Sequence, residues 1–400
     1  MARIVYAWEL GAGYGHLAAF LPLAKALRAA GHEVTFVIKE LTHAETLLGP
    51  EGFSYMQAPL WQLQLDRLTH PINYAEILFK VGYLSEPGLA GLVQAWRKQL
   101  ELLRPDLLIV DHGPTPLLAS RGAPFKRMLL GSGFYAPPRI TPMPSIRPEA
   151  QVAPAKLIET EQLALSVINA VAQDLKLPPL QALYELFDAD ANFISTFPEL
   201  DLYPQRGAAD YVGPALSLQE GARFEWPGTP TTKTPKIFVY LQAGFAHTEK
   251  IIAALSALPV RAVIHSPVLD PALVQKYAQA HLLFSTAPLQ MAQASREADI
   301  AICNAGLGTV SAMLLAGTPM LLFPTHQEQF LLASAVVRLG AGILVMDAGQ
   351  EPDLQQWITT LIAQPGYAAA AAAFQEKYRG FNQAQQLELL VARCEQLLRA

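Results

Sequence analysis

The chain has 400 residues, of which 52% are hydrophobic and 16% charged, and its net charge is −5. This length is typical of two domains, while the absence of a positive charge excess argues against nucleic-acid binding. No uninterrupted run of about 18 apolar residues is available for a membrane span. Peripheral membrane contact is compatible with the low charge, but two large cores and an apolar ligand pocket explain it better.

The first predicted strand, Arg3–Trp8, begins too near the first residue to leave room for a signal peptide. The two cysteines, Cys303 and Cys394, are too few for a disulfide framework. We therefore expect a cytoplasmic protein. No His/Cys cluster has metal-ligand spacing, so we expect no bound metal.

The first half of the chain alternates apolar strands with amphipathic helices, which is typical of a parallel sheet covered on both faces. The stretch Met56–Pro105 is predicted to be mostly helical and is rich in aromatic residues, and the proline-rich segment Tyr135–Pro154 is predicted to be an irregular loop. The predicted strands are Arg3–Trp8, Glu33–Ile38, Leu107–Val110, Lys126–Leu130 and Ala191–Ser195.

A glycine loop containing Gly11, Gly13 and Gly15 follows the first strand. A dinucleotide-binding fingerprint is disfavoured, because the third glycine comes one residue early and His16 stands in its place. Pro22 fits best in a first helical turn, so the next helix is predicted to begin two or three residues after His16. The helix dipole would keep the imidazole neutral and able to accept a proton. The alternative is a solvated or capping histidine.

Asp111 ends the predicted strand Leu107–Val110. The carboxyl ends of parallel strands meet at one edge of a sheet, so Asp111 and His16 are predicted to lie close together. A carboxylate there would orient an imidazole and stabilise its protonated form. The alternative is a strand-end cap, and the adjacent His112 complicates the assignment.

A second proline- and glycine-rich stretch, 213–235, is predicted to be a linker. A new α/β series follows it, and the chain closes with a helix that has apolar residues at helical spacing. The predicted organisation is an N-terminal domain over 1–212, the linker, a C-terminal domain over 236–381 and a final helical segment over 382–400. The strands predicted in the second domain are Lys236–Gln242, Val260–His265, His281–Phe284, Asp299–Cys303 and Met320–Phe323.

The most informative segment is Ala301–Gln329, which is predicted to form a strand, a glycine turn, a helix, a second strand and a polar loop. A helix that begins after a glycine turn offers unpaired N–H groups and a positive dipole end, which suit a phosphate. Ligands of open α/β sheets bind at this end of the strands. The candidate ligand-binding residues are Gly306, Gly308, Thr309, Glu328 and Gln329.

This segment resembles the nucleotide-sugar signature of family 1 glycosyltransferases, which are inverting enzymes of the GT-B fold. The stretch from Gly13 to Phe36 also resembles the opening of that family, and the similarity extends over nearly the whole chain. The resemblance implies an α/β protein with two Rossmann-like parallel-sheet domains that face a cleft. It implies an acceptor bound on the first domain, a nucleoside-diphosphate sugar bound on the second, and no cofactor. In such proteins the last helix often returns to the first domain.

The resemblance also implies roles for individual residues. His16 falls on the family's catalytic base and Asp111 on its supporting carboxylate. The sequence departs from the pattern where Asn304 replaces a phosphate-binding histidine, Ala312 replaces a ribose-binding glutamate, and Phe245 stands where serine or threonine is common. The predicted donor-binding residues are Gly15, Gly244, Asn304, Gly306, Gly308, Thr309, Glu328 and Gln329.

Aromatic residues near the predicted catalytic loop are expected to bind the acceptor. The expected reaction is hexose transfer from a UDP- or dTDP-linked sugar to a hydroxyl of an apolar or aromatic small molecule or lipid. Two alternatives remain: a non-hydrolysing sugar-nucleotide epimerase of the same fold, and a sugar-nucleotide-binding pseudoenzyme that acts as a partner subunit. The predicted acceptor-binding residues are Trp61, Phe79, Tyr83, Phe134 and Tyr135.

Overall fold

The computed structural model describes residues 1–11, 15–63, 70–216, 220–229, 234–346 and 353–400. Gly13 of the glycine loop lies outside these ranges. The chain divides into two compact units, the first formed by residues 1–215 with 382–400 and the second by residues 216–381.

The first unit contains a seven-stranded sheet in the order β3-β2-β1-β4-β5-β6-β7, in which every pair of neighbours is parallel. In the register of this sheet, Trp8 at the end of β1 is paired with Ile38 of β2 and Asp111 of β4. These carboxyl ends form the edge that carries the candidate site. The strands are β1 (Arg3–Trp8), β2 (Glu33–Ile38), β3 (Ser54–Gln57), β4 (Leu107–Asp111), β5 (Lys126–Gly131), β6 (Ala191–Ile194) and β7 (Asp210–Tyr211).

Five of these strands match the predicted ones to within one residue at each end. The sequence did not predict β3 or β7, because β3 has no buried residue and β7 contains only two residues, so neither carries an apolar run. The helices of this part of the chain are α1 (Gly15–Ala29), α2 (Ala44–Leu47), α3 (Tyr74–Phe79), α4 (Glu86–Leu103), α5 (Pro114–Ala119) and α6 (Pro154–Asp174).

Helix α1 begins at Gly15, earlier than predicted, so His16 lies in its first turn rather than before it. The prediction was wrong because it placed Pro22 in the first turn, whereas Pro22 is inside the helix. A proline there removes one backbone hydrogen bond. The earlier start adds Leu17 to the helix, and Leu17 is buried in the core of the first unit.

The second unit contains a six-stranded parallel sheet in the order β10-β9-β8-β11-β12-β13. Its strands are β8 (Lys236–Tyr240), β9 (Arg261–His265), β10 (Leu282–Ser285), β11 (Ile300–Cys303), β12 (Met320–Leu322) and β13 (Gly342–Leu344), of which β13 was not predicted. Its helices are α7 (Thr248–Ser256), α8 (Pro271–Lys276), α9 (Met291–Glu297), α10 (Leu307–Leu315), α11 (Gln327–Arg338), α12 (Leu354–Ala363) and α13 (Pro365–Lys377). No helix in the described part of the chain is long and apolar enough to cross a membrane.

The middle of the segment predicted as a linker, residues 222–227, packs onto the second unit. The Phe224 ring is stacked with Phe238 of β8 at a centroid distance of 6.1 Å, and the Trp226 indole N–H donates to Glu297 at 2.8 Å. The Arg261 guanidinium donates to the carbonyl of Trp226 at 2.8 Å. These contacts explain why the boundary between the units falls at residue 215 or 216.

The final helix, α14 (Gln383–Arg399), packs against α1 in the first unit. The Asn382 side chain caps α14, and Leu390 and Cys394 are buried in the core that also contains β1 and α1. The Glu395 carboxylate lies 2.7 Å from His32 Nε2. The first strand, β1, and the last helix, α14, therefore belong to the same unit.

Candidate active site

The central feature of the first unit is a hydrogen-bonded pair at the carboxyl edge of its sheet. His16 Nδ1 lies 2.8 Å from Asp111 Oδ2, and the Tyr6 hydroxyl donates to the same oxygen at 2.8 Å. Tyr6 is on β1, His16 follows it in the first turn of α1, and Asp111 ends the neighbouring β4. The predicted proximity of His16 and Asp111 is therefore seen in the structure.

The hydrogen bonds of Asp111 determine which atoms of Tyr6 and His16 carry protons. Burial and the adjacent Asp111 carboxylate raise the pKa of Tyr6 well above its ordinary value, so Tyr6 remains a proton donor. When the His16 ring is neutral and the carboxylate accepts its hydrogen bond, the ring proton is on Nδ1 and Nε2 is the basic nitrogen. A side chain at Gly11 would place its Cβ 2.6 Å from Nε2, so the glycine leaves space beside that atom.

Aromatic rings surround the imidazole of His16. Trp8 is stacked with it at a centroid distance of 4.9 Å, and Tyr135 lies at 5.9 Å. His112 is stacked on Tyr135 at 4.3 Å, and Phe134 contacts His112 edge-on at 6.2 Å. We call Trp8, His112, Phe134 and Tyr135 the aromatic cluster. It makes one side of the candidate site apolar.

His112 has a left-handed backbone, with φ of 41°, and its carbonyl accepts a hydrogen bond from the Leu10 N–H at 2.9 Å. Burial, with a smaller contribution from His16, holds the pKa of His112 well below its usual range, so the ring is neutral. Within the described ranges, His112 Nε2 and Asp111 Oδ1 are buried and have no hydrogen-bond partner. Such atoms cost about 1–3 kcal/mol each until a partner binds them.

The predicted acceptor-binding residues fall into two groups. Phe134 and Tyr135 lie in the aromatic cluster, as described above. Tyr83 is fully buried with its hydroxyl 3.1 Å from Thr115 Oγ1, and Phe79 is buried in α3. The Trp61 ring covers Gly82 and Gly88, where any Cβ would lie within 3 Å of it. These last three residues pack around α3 and α4, and their predicted role in acceptor binding stays a prediction.

Tyr6 and Trp8 were not predicted as neighbours of His16. Both lie on β1, where they read as ordinary members of an apolar strand. The available signal was that alternate strand residues share one face, which puts Tyr6 and Trp8 on the side covered by α1.

A second buried carboxyl lies close to this edge. Glu9 follows β1, is 2% exposed, and accepts a hydrogen bond from the Thr115 N–H at 2.8 Å. Burial raises the pKa of Glu9 from 4.5 to about 7. The group therefore titrates near neutral pH.

In the second unit, the glycine turn lies at the start of α10, as expected. The helix begins at Leu307, so Thr309 lies in its first turn. Gly306 is the N-cap, and a side chain at Gly306 or Gly308 would meet nothing within 4 Å. Ala305 before it has a left-handed φ of 58°. The N-terminus of α10 is therefore open to a ligand. Gly15, at the start of α1, is similarly open.

The Asn304 side chain is used within the protein rather than presented to a phosphate. Its Oδ1 accepts from the Gln242 N–H at 2.8 Å, its Nδ2 donates to the Phe323 carbonyl at 2.9 Å, and the residue is 4% exposed. This corrects the predicted phosphate contact: Asn304 joins the chain segments that follow β8, β11 and β12.

Glu328 and Gln329 lie in the first turn of α11, not in a loop as predicted. Gln329 is buried, and its Oε1 accepts from the Thr325 N–H at 2.8 Å and lies 2.9 Å from the Thr325 hydroxyl. Glu328 is partly exposed. Of the predicted acidic-Gln pair, Gln329 thus caps the helix start, and Glu328 is the member that lies nearer solvent.

A cavity of about 450 Å³ opens at the carboxyl edge of the second sheet. Gly244, with a left-handed φ of 70°, lines it together with Thr325 and three rings. The Phe245 ring lies 5.8 Å from Phe323 and 5.4 Å from His247. In the ranges that the structure describes, no group of three or more His, Cys, Asp or Glu side chains is placed to hold a metal ion.

Two α/β units with parallel sheets in one chain are the arrangement of the GT-B fold. Residues 273–386 match the glycosyltransferase family 28 C-terminal domain. The chain is 25% identical to a zeaxanthin glucosyltransferase of Pseudescherichia vulneris over 87% of this chain and 88% of the relative. It is 24% identical to a PGL/p-HBAD biosynthesis glycosyltransferase of Mycobacterium tuberculosis over 86% and 80%.

Among solved structures, the calicheamicin glycosyltransferase CalG4 superposes with a TM-score of 0.72 at 17% identity, over 99% of this chain and 98% of that one. The similarities confirm the fold and the resemblance recognised in the sequence. The chain has the GT-B fold.

Proposed function

We propose that the protein is an inverting glycosyltransferase that moves a hexose from a UDP- or dTDP-linked sugar to a hydroxyl of an apolar or aromatic acceptor. The observation that carries this proposal is the His16–Asp111–Tyr6 group, in which His16 Nδ1 lies 2.8 Å from Asp111 Oδ2 and the Tyr6 hydroxyl donates to the same carboxylate oxygen. The group needs no metal ion to act as a general base.

In the proposed reaction, His16 Nε2 takes the proton of the acceptor hydroxyl as its oxygen attacks the anomeric carbon. The new carbon–oxygen bond forms as the bond to the diphosphate breaks on the opposite face, so the anomeric configuration inverts. Asp111 stabilises the imidazolium, and the Tyr6 hydrogen bond keeps the carboxylate oriented. The nucleoside diphosphate leaves with the electron pair.

The donor side of the proposal is supported by the open start of α10. Its unpaired N–H groups and dipole would bind the diphosphate next to Gly306 and Gly308, and the Thr309 hydroxyl is near the same turn. Glu328 is the proposed partner of sugar hydroxyls. Ala312 is 3% exposed and has no polar side chain, so it gives no preference for a ribose 2′-hydroxyl. A dTDP-sugar should therefore bind at least as well as its UDP counterpart.

The acceptor side is supported by the aromatic cluster beside His16. Rings of this kind favour flat or largely hydrocarbon molecules. The name of the P. vulneris relative specifies zeaxanthin, an apolar hydroxyl compound, as what that protein glucosylates. The two buried unpartnered atoms, Asp111 Oδ1 and His112 Nε2, offer hydrogen bonds for a polar group on such an acceptor.

The test begins with a thermal-shift screen of UDP, dTDP and their glucose conjugates. A ligand at 100 times its dissociation constant should stabilise the protein by about 2.7 kcal/mol. Transfer is then measured with zeaxanthin and with 4-methylumbelliferone, a phenol, and the product's anomeric configuration is assigned by NMR.

We expect an inverted product and dTDP binding no weaker than that of UDP. A retained configuration would contradict the proposed mechanism, and a tenfold preference for UDP would contradict the role given to Ala312. Epimerisation of the sugar nucleotide without an acceptor would favour the epimerase alternative. Binding with neither transfer nor hydrolysis would favour the pseudoenzyme.

A further inference from the structure

We propose that Arg206, together with Asp201 and Tyr203, is a positioning group that sets the shape of the acceptor-binding side of the site. We call these three residues the Arg206 cluster. The proposal rests on the proposed function, because it concerns how the same site holds its acceptor. None of the three was singled out by the sequence, and none belongs to the aromatic cluster.

The guanidinium of Arg206 donates hydrogen bonds to the backbone of the loop that carries Phe134 and Tyr135. Its Nη2 donates to the Gly133 carbonyl at 2.8 Å, and its Nη1 donates to the Ala136 carbonyl at 2.5 Å. These carbonyls flank the two aromatic residues on either side. A buried arginine that fixes two carbonyls restricts the backbone between them.

The other members of the Arg206 cluster complete this restraint. The Tyr203 hydroxyl donates to the Phe134 carbonyl at 2.9 Å. Asp201 accepts from Arg206 Nε at 2.5 Å, from the Tyr203 N–H at 2.8 Å and from the Tyr211 hydroxyl at 2.7 Å. Arg206 and Asp201 are 8% and 4% exposed, so water does not compete strongly for these bonds.

The loop itself can place Tyr135 in its observed position only because of its glycines. A Cβ at Gly131 would lie 2.1 Å from Tyr135 Cε2, so the tyrosine ring covers that glycine directly. Gly133 has a left-handed φ of 91°. The ring is thereby turned onto His112, at a centroid distance of 4.3 Å.

These contacts indicate more than a general contribution to stability. The loop follows β5 and has no strand or helix of its own between residues 132 and 136, so side chains of the Arg206 cluster hold three of its carbonyls. The His16–Asp111–Tyr6 group is held separately, by β1, β4 and α1. Loosening the loop should therefore disturb acceptor binding while leaving the base and the donor unaffected.

The test compares Arg206→Lys and Tyr203→Phe with a matched control, Arg121→Lys. Arg121 also donates to backbone carbonyls in the first unit, those of Glu185 at 2.9 Å and Pro178 at 3.1 Å, but these do not belong to the loop. Tyr203→Phe removes the hydrogen bond to the Phe134 carbonyl and keeps the ring, so it is the variant expected to fold without difficulty.

For Arg206→Lys we expect the KM for 4-methylumbelliferone or zeaxanthin to rise roughly tenfold, since small displacements of a substrate-facing group have large effects. For Tyr203→Phe we expect a smaller rise in the same direction. The donor KM and the rate of sugar-nucleotide hydrolysis without acceptor should stay within twofold of the wild type. Hydrogen exchange of amides 132–136 should accelerate in both variants and not in Arg121→Lys.

Unchanged exchange in the loop, or an equal rise in acceptor KM for Arg121→Lys, would overturn the proposal. If the wild-type protein transfers no sugar to either acceptor, the proposed function fails on that result. The exchange measurement then decides separately whether the Arg206 cluster holds the loop.

Discussion

Asp111 and Asn304 occupy equivalent places in the two units, but the protein uses them differently. Asp111 ends β4, which lies beside β1, and Asn304 directly follows β11, which lies beside β8. In both cases the chain continues with a left-handed residue, His112 or Ala305. A glycine then caps the next helix; these glycines are Gly113 and Gly306.

The difference lies in what each side chain bonds to. Asn304 has both a donor and an acceptor, so it can join two backbone segments, and it does. Asp111 has only acceptor oxygens when ionised, so it bonds to the side chains of His16 and Tyr6. The same backbone geometry thus places a carboxylate against a histidine and a tyrosine in one unit, and an amide that joins two backbone segments in the other.

Replacing His16, the proposed base, should have the largest effect of the three substitutions. His16→Ala should lower turnover by roughly a hundred- to ten-thousandfold without weakening nucleotide binding, because general-base catalysis contributes about that much. The control is His32→Ala, which removes the histidine paired with Glu395 on the same unit and should spare turnover. Turnover of His16→Ala within threefold of the wild type would exclude the catalytic role.

A second test uses the other buried carboxyl at this edge. The pKa of Glu9 rises from 4.5 to about 7 on folding. Between these two pH values the native state keeps a proton on Glu9 that the unfolded state has lost. This favours the folded protein below pH 4.5, and that stability is lost as the pH rises through 7. Between pH 4.5 and 7.5, the free energy of unfolding of Glu9→Gln should therefore fall by about 3 kcal/mol less than that of the wild type, as measured by urea unfolding. Parallel pH profiles for the variant and the wild type would contradict the assignment.

The smallest expected effect is on the second unit. Asn304→Ala leaves the Gln242 N–H and the Phe323 carbonyl without their partner, so it should destabilise the protein by about 2 kcal/mol and weaken nucleotide binding. Asn169→Ala is the matched control, because Asn169 joins the N–H and carbonyl of Leu180 in the same way in the first unit. Equal loss of nucleotide binding in both variants would show that Asn304 has no specific role in nucleotide binding.

The sequence predicted the parallel sheets and the pairing of His16 with Asp111, because apolar strand runs and the rule that strand ends share an edge are local patterns. It could not predict the short strands β3, β7 and β13, which depend on neighbours for their hydrogen bonds. It also treated Phe79 and Tyr83 as ligand-facing, since aromatic content does not distinguish a pocket from a packed interior.

The function of a polar side chain was harder still to predict. Asn304 matched a phosphate-binding position, yet its bonds go to Gln242 and Phe323, which are distant in sequence. The role of Arg206 could not be predicted either, because Asp201 is close to it in sequence but the Gly133 and Ala136 carbonyls become neighbours only after folding. Such roles depend on tertiary contacts that no short motif records.

The return of α14 to the first unit has a consequence for how the chain is made. Leu390 and Cys394 complete the core beneath α1, whose first turn carries His16. During synthesis this core stays incomplete until the ribosome has translated the whole second unit and then residues 383–399. The part of the protein made first is therefore the last to reach its final form. A chain that ended after residue 381 would contain the whole second unit, but α1 and its residue His16 would lack the packing of α14.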